Sequence, residues 1–387
     1  MKIKRYLFVI LPMTILAVAC ASSPEQKLAK LKSNLAFTCK HEAKPPLFDD
    51  TQKLYDYARY HDLHNLWKGK KGDAVWQNAA VYYRIAAANG HYKANIGLQY
   101  LLYTGRVRSE NARKEVIQLN EALEKQLPAT AYYNYYIYLK SGFGVSAGLG
   151  DELAYLRKAA DLGNKNAQYV LGEMILNIKD NETFQLRKSL REQLLSCASE
   201  QGNGTASRFL GIRYKNEKKY SESVKLFYQG IKNGDDASAR RLSNGFEKEI
   251  KEVNKVDYLA LSPDRERHLR YKMIGDYLSR NDYLNPTVPD LDKIVPLPPA
   301  KLPAWDGKIA FQRWYEGPSP TKPSDVLMQK LADKAGLDVK TGLPLKKTIE
   351  KTNRTLIFPI KVRLVFSAFF SSPQTVSSPR GWRRGWR

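Results

Sequence analysis

Apolar and small residues recur along the chain in a fixed pattern. Tyr82-Tyr83-Arg84-Ile85-Ala86-Ala87-Ala88-Asn89-Gly90 is followed by Ala94 and then Leu98. The pattern returns as Tyr155-Leu156-Arg157-Lys158-Ala159-Ala160-Asp161-Leu162-Gly163, followed by Ala167 and Leu171-Gly172. A third copy runs from Ala198 to Gly202, then Ala206, Leu210-Gly211 and Tyr214. Between the first two lies a degenerate copy with Leu127 at the glycine position, then Ala131, Tyr135, Gly142 and Gly144; a fifth copy has Gly234, Ser238 and Leu242. The markers at 90, 127, 163, 202 and 234 are 37, 36, 39 and 32 residues apart, a spacing that denotes stacked repeats. Each copy predicts a helix, a glycine turn and a second helix, with alanines that let the two approach closely. One such pair cannot bury its own apolar face, so the copies must stack. The predicted fold class is all-α, an α-solenoid of helix-turn-helix repeats over 76–246.

Beyond Phe246 the period fades. Residues 264–284 still read as helical, with Leu269, Met273, Tyr277 and Leu278 spaced for one face. Pro286, Pro289, Pro296, Pro298, Pro299 and Pro303 then predict an extended stretch lying along the body. Trp305 and Trp314 follow, and a last helix is expected from the N-cap Ser324 to Gly336. Residues 247–347 therefore form a small Pro/Trp-rich C-terminal module. The segment 348–387 carries neither repeat nor helical period, and its preferred reading is an extension without selected structure, the alternative being a basic membrane-contacting tail.

At the other end, Lys2, Lys4 and Arg5 precede an apolar run from Tyr6 to Ala19, the layout of an export signal. Residues 1–20 so read, and Leu16-Ala17-Val18-Ala19-Cys20 resembles the bacterial lipoprotein signal, which implies that Cys20 is acylated and becomes the mature N-terminus. Ala21 stands where an inner-membrane retention signal usually shows Asp, so the resemblance implies an outer-membrane anchor with the body facing the periplasm. Residues 21–75 are then an N-terminal segment before the repeats. With Cys20 lipidated, Cys39 and Cys197 remain in an oxidising compartment, where a disulfide between them is expected and two buried thiols are the alternative.

Charge adds a constraint. The chain carries +24 overall, of which three charges lie in the first twenty residues and a net seven in the last forty, leaving +14 on the body. Such a body attracts nucleic acid, anionic lipid or an acidic protein surface; an exported protein makes nucleic acid the least suitable, and no nucleic-acid partner is expected.

The repeats resemble Sel1-like repeats, relatives of the tetratricopeptide repeat. The pieces that carry the resemblance are Tyr83 to Gly90, Leu156 to Gly163 and Gly142-Phe143-Gly144-Val145. The proline- and tryptophan-rich end resembles a C-terminal module that accompanies such repeats in some proteobacterial lipoproteins. Lipoproteins of this arrangement resemble immunity proteins against type VI secretion phospholipase toxins. That resemblance implies a membrane-anchored binding protein, not an enzyme, whose partner is a protein with an acidic surface. The alternative is a general envelope scaffold.

Catalytic motifs are weak by comparison. Gly144-Val145-Ser146-Ala147-Gly148 matches Gly-x-Ser-x-Gly, but the hydrolase elbow needs a strand before it and a repeat helix is predicted there. His61 and His64 form His-x-x-His without an intervening Glu or a third ligand. No cofactor or metal is called for. Tyrosine is abundant, with 24 residues, and Tyr132-Tyr133-Asn134-Tyr135-Tyr136-Ile137-Tyr138 is its densest run. With Ala131, Tyr135 and Leu139 inward on a helix, Tyr133 is expected to point outward and Tyr132 to flank the packed face. Tyr133, Tyr132, Arg84, Arg157 and Lys158 are the partner-binding candidates, since Tyr and Arg concentrate at binding hot spots.

Overall fold

The computed structural model describes residues 35–144, 148, 150–178, 181–249 and 255–345. The export signal with Cys20, Ser146 and the segment 348–387 lie outside the described residues. The chain divides into Met1–Ala36 and Phe37–Arg387, and the second unit is the one described below. Its described residues form helices without a β-strand, and none of those helices is long and apolar enough to cross a membrane.

The first twelve helices are α1 (Asp49–His64), α2 (Ala74–Ala88), α3 (Tyr92–Tyr103), α4 (Ala112–Glu124), α5 (Pro128–Ser141), α6 (Asp151–Asp161), α7 (Lys165–Leu176), α8 (Phe184–Glu200), α9 (Gly204–Asn216), α10 (Tyr220–Lys232), α11 (Asp236–Glu247) and α12 (Arg265–Arg280). Each packs mainly on the helix before it and the helix after it. That one-dimensional contact order is the α-solenoid expected from the repeats. The pairing begins with α1 and continues through α12, so helix pairs flank the repeats at both ends.

The turn inside each repeat has one geometry. Gly90, Gly163, Gly202 and Gly234 have φ of 90°, 106°, 86° and 83°, a left-handed region open to glycine. The next residue closes the turn, its N–H donating to the carbonyl five residues earlier: His91 to Ala86, Asn164 to Ala159, Asn203 to Ala198 and Asp235 to Gly230, at 2.9–3.0 Å. The side chain of that same residue then caps the following helix, accepting from Ala94, Ala167, Ala206 and Ser238 N–H. Small residues must face each other across the turn. In the fifth copy, where Ser238 replaces alanine, Gly230 stands opposite, and a Cβ there would lie 2.4 Å from the Ser238 hydroxyl. Leu98, Leu171, Leu210 and Leu242 fill the space beneath, all buried.

The degenerate copy departs from this. Leu127 does not take the glycine conformation; it has φ −134° and starts α5 itself, with Pro128 in the first turn and no side-chain cap. A buried amide network replaces the missing turn geometry. Asn134 donates to Asn120 and Gln99, Tyr138 donates to Gln99, and Asn120 donates to the Ala131 carbonyl, tying α3, α4 and α5 together.

In the C-terminal module, α12 does not bury the face expected from its apolar residues. Leu269 and Met273 are exposed, whereas Arg267, Arg270, Tyr271, Ile274 and Leu278 are buried. The reason is the proline-rich stretch. It cannot pair its carbonyls in a helix or sheet, and the arginines supply the donors: Arg270 bonds the Ile294 and Pro303 carbonyls at 2.7 and 2.8 Å, and Arg267 bonds Pro296 and Ala300. Val288, Leu291, Ile294 and Val295 then complete an apolar core with α10, α11 and α12. The stretch thus lies along the body as expected.

Two further helices, α13 (Ala310–Glu316) and α14 (Asp325–Ala335), carry the chain back to its beginning. Ser324 caps α14 and Gly336 ends it, as its sequence predicts. The Tyr60 hydroxyl of α1 donates to the Gly317 carbonyl, Asn89 donates to the Leu331 carbonyl, and Lys330 pairs with Asp50. The C-terminal module therefore docks on α1 and α2, and the solenoid turns back on itself.

Two measurements test these constraints. Arg270→Met removes donors from the buried Ile294 carbonyl and the part-buried Pro303 carbonyl and is expected to destabilise by about 2–4 kcal/mol in urea unfolding; an unchanged midpoint would contradict the role given to Arg270. His91 caps α3 through a neutral ring nitrogen, and burial, assisted by Lys93, lowers its pKa from 6.5 to about 4. The unfolded chain binds that proton first, so this contribution to stability is present above pH 6.5 and is lost as pH falls towards 4. His91→Asn, the residue used at 164 and 203, should remove that component from the acid unfolding profile.

Candidate functional site

An extended strap precedes α1 and runs across the repeat turns. Cys39 is bonded to Cys197 of α8. The Lys40 carbonyl accepts from the side-chain amides of Gln168 and Gln201 at 3.1 and 3.3 Å. The Glu42 carboxylate accepts from the backbone N–H and hydroxyl of Thr130, in the first turn of α5, at 2.9 and 2.5 Å. Gly163 is required here for a second reason: a Cβ would sit 2.7 Å from the Glu42 nitrogen. The disulfide joins residues 158 apart in sequence, a loop closure that restricts the unfolded chain and holds the strap to the repeats.

Beside the strap the repeats enclose a cavity of about 450 Å³. Its floor and walls come from α1, Tyr83 of α2, the lengths of α3, α5 and α7, the first turn of α9, the strap itself, and Asn285 and Thr287. Seven tyrosines line it: Tyr55, Tyr83, Tyr92, Tyr100, Tyr133, Tyr136 and Tyr169. The expectation that Tyr133 is exposed is corrected by this arrangement. Tyr133 is 7% exposed, because the side of α5 opposite the α4 contact faces the cavity and the neighbouring repeat, not open solvent. Its ring lies 5.9 Å from that of Tyr136, and burial raises its pKa well above the usual range. Tyr132 is half-buried against Tyr135 and Tyr155 and does not line the cavity.

The basic candidates have other duties. Arg84 forms an ion pair with Glu115 at 2.7 Å and donates to the Thr341 carbonyl, so it sits inside the contact with the C-terminal module. Arg157 pairs with Asp161 one turn along. Lys158 is exposed and outside the cavity. His64 stacks between the rings of Tyr60 and Tyr315, and its two nitrogens face the carbonyls of those residues at 2.7 and 2.8 Å. It pins α13 to α1, and neither nitrogen is presented to a metal. The residues preceding Gly144 form helix α5, which Gly142 ends in a left-handed conformation, so the surroundings of the Gly-x-Ser-x-Gly pattern are those of a repeat.

Five cations missed by the sequence reading line the cavity: Lys44 on the strap, Arg59 on α1, Lys93 on α3, Lys165 on α7 and, near the end of α5, Lys140, which lies over the Tyr136 ring and is attracted by Glu152. Lys44, Arg59, Lys93 and Lys165 form no close ion pair among the described residues, although Asp56 attracts Arg59 and Lys93, Asp62 attracts Arg59, and Glu42 attracts Lys44 from farther off. Arg59 donates to the Tyr55 hydroxyl and lies over the Trp314 ring; Lys165 donates to the Gly202 carbonyl. The carboxylates nearby are committed elsewhere, Glu42 to Thr130, Asp62 to the Trp76 indole and Glu173 to Arg191. Burial, with Lys44 adding repulsion, lowers the Lys165 pKa from 10.5 to about 8. Burial, with repulsion from Arg59 and Lys44, lowers that of Lys93 as well. A sequence signal was available: Lys93 and Lys165 occupy the first turns of helices, where the macrodipole disfavours a cation.

Residues 238–345 match a domain of unknown function (DUF6396), a range that spans α11 and the C-terminal module. No curated protein matches the sequence. Among solved structures the chain is similar to immunity protein Pa5087 from Pseudomonas aeruginosa, 26% identical, covering 68% of this chain and 95% of that one with a TM-score of 0.46. It is similar to immunity protein PA5088 from the same organism, 25% identical, covering 68% and 94% with a TM-score of 0.49. It is also similar to a Sel1 repeat protein from Oxalobacter formigenes, 17% identical, covering 58% and 86% with a TM-score of 0.40.

The depressed pKa of Lys165 sets a stability test. Its ammonium costs the folded state most below pH 8, and the cost is lifted as pH rises from 8 to 10.5. Lys165→Met is therefore expected to be more stable than the parent at pH 7, with the difference shrinking by pH 10 in thermal unfolding. A variant less stable than the parent at pH 7 would refute the cost assigned to this lysine.

Proposed function

We propose that the protein is a lipoprotein, anchored in the outer membrane through Cys20 and facing the periplasm, that neutralises a type VI secretion phospholipase effector by binding it. The observation that carries a binding role is the cavity: a tyrosine-walled, lysine-bearing concavity built jointly by consecutive repeats, in which Lys44, Arg59, Lys93 and Lys165 form no close ion pair. Tyrosine rings give large contact area at low entropic cost, and unpaired basic groups favour fast capture of an acidic surface. Docking of the C-terminal module on α1 and α2 and the disulfide-held strap keep that surface in one shape, which reduces the ordering cost of association. The export signal supports the compartment. The repeat pattern and the proline- and tryptophan-rich module support the immunity role through their resemblance to such lipoproteins. The protein acts by binding, without catalysis.

The test is reconstitution. The full chain should form a single stoichiometric complex with one phospholipase of its own organism, abolish that enzyme's release of fatty acid or headgroup, and lose affinity steeply with salt. Several weak envelope partners and no inhibited lipase would instead establish a scaffold.

A further inference from the structure

We propose that the cavity receives an extended acidic segment of the protein partner, with Lys44, Arg59, Lys93 and Lys165 taking its carboxylates. This rests on the protein-binding reading above and adds where the partner enters and by what chemistry.

Three observations support it. Arginines elsewhere in the unit are largely spent on intramolecular ion pairs, among them Arg84, Arg191, Arg208, Arg213 and Arg241. Lys44, Arg59, Lys93 and Lys165 in the cavity are not, although burial makes their charge costly at Lys93 and Lys165. Asp56, Asp62 and Glu42 offset part of that charge without pairing closely with it, and charge kept without a close partner in a concave site marks function more than stability. Next, the cations act on one another in succession rather than all on one point. Repulsion acts between Arg59 and Lys93, between Lys93 and Lys44, and between Lys44 and Lys165. A lone phosphate needs convergent donors, whereas cations interacting in succession match successive acidic side chains on an extended chain. Finally, the strap already shows how this edge of the solenoid holds such a chain. The Glu42 carboxylate sits on the first turn of α5, and amides from two repeats grip the Lys40 carbonyl. Asn166 and Asn203 continue those amides along the cavity wall. At about 450 Å³ the space suits a short segment and not a folded surface.

The experiment uses the full chain in detergent and a fluorescein-labelled hexaglutamate peptide, read by anisotropy, with hexaglutamine as the neutral control. Hexaglutamate should bind and hexaglutamine should not. Lys93→Gln and Lys165→Met should each weaken binding about five- to tenfold, with thermal midpoints showing that both variants are folded. Lys225→Gln, an exposed lysine of α10 outside the cavity, should leave binding unchanged. Binding that ignores the cavity variants, or falls equally with Lys225→Gln, would overturn the proposal. So would displacement of the peptide by inorganic phosphate far below the chloride concentration of equal ionic strength, which would assign the site to phosphoryl groups. The same variants are then carried into effector inhibition. Unimpaired inhibition by a variant that has lost the peptide would overturn the cavity as the entry point while leaving the immunity reading in place. A cavity-dependent peptide response in a chain that inhibits no phospholipase would uphold the cavity chemistry and remove the immunity reading.

Discussion

The turn between paired helices governs this molecule. A left-handed glycine reverses the chain, the next side chain caps the following helix, and small residues on either side let the two helices touch. Repeated along the solenoid, this turn brings the first turns of α3, α7 and α9 to one side, and the Leu127-Pro128 start of α5 joins them without it. Helix N-termini present unpaired N–H groups and partial positive charge. That side is consequently predisposed to receive carbonyls and carboxylates, and the strap uses it in this way.

Stability and function draw on that side in opposite directions. Glu42 at the first turn of α5 complements the local field. Lys93 and Lys165 oppose it, and burial adds to the cost. A fold selected for stability alone would place acids or small polar residues there. Keeping lysines in helix first turns, within a tyrosine-walled cavity and without a paired acid, is consistent with a surface whose negative charges come from outside the chain. Closure of the solenoid by α13 and α14, with His64 held between two tyrosines and Arg84 bonded to the Thr341 carbonyl, limits how far the repeats can flex around it.

The C-terminal module shows a different solution to a similar problem. Proline-rich chain has few ways to satisfy its carbonyls, and Arg267 and Arg270 do so from α12. Their charge is thus consumed in holding the backbone, so a count of basic residues overstates what is available to a partner. Of the basic residues singled out from the repeats, Arg84 and Arg157 are also paired within the chain, and only Lys158 stands exposed.

The sequence alone determined the repeat, its helix-turn-helix unit and the small residues at its turn, because these depend on local spacing and on conformations that glycine alone adopts readily. It also located the last helix through Ser324 and Gly336, whose capping roles are local. The tertiary structure decided which side of each helix was covered twice. Tyr133 looked outward by helical phase within its own repeat, but the curvature of the stack and the cavity bury it. The apolar stripe of α12 pointed to Leu269 and Met273, yet the buried face carries Arg267 and Arg270 beside Tyr271, Ile274 and Leu278, because proline-rich backbone carbonyls as well as apolar side chains lie against it. Lys44, Arg59, Lys93 and Lys165 are scattered over 122 residues of sequence and meet only because the strap and three helices share one cavity. Local pattern specifies elements; which charges face one another depends on how those elements stack.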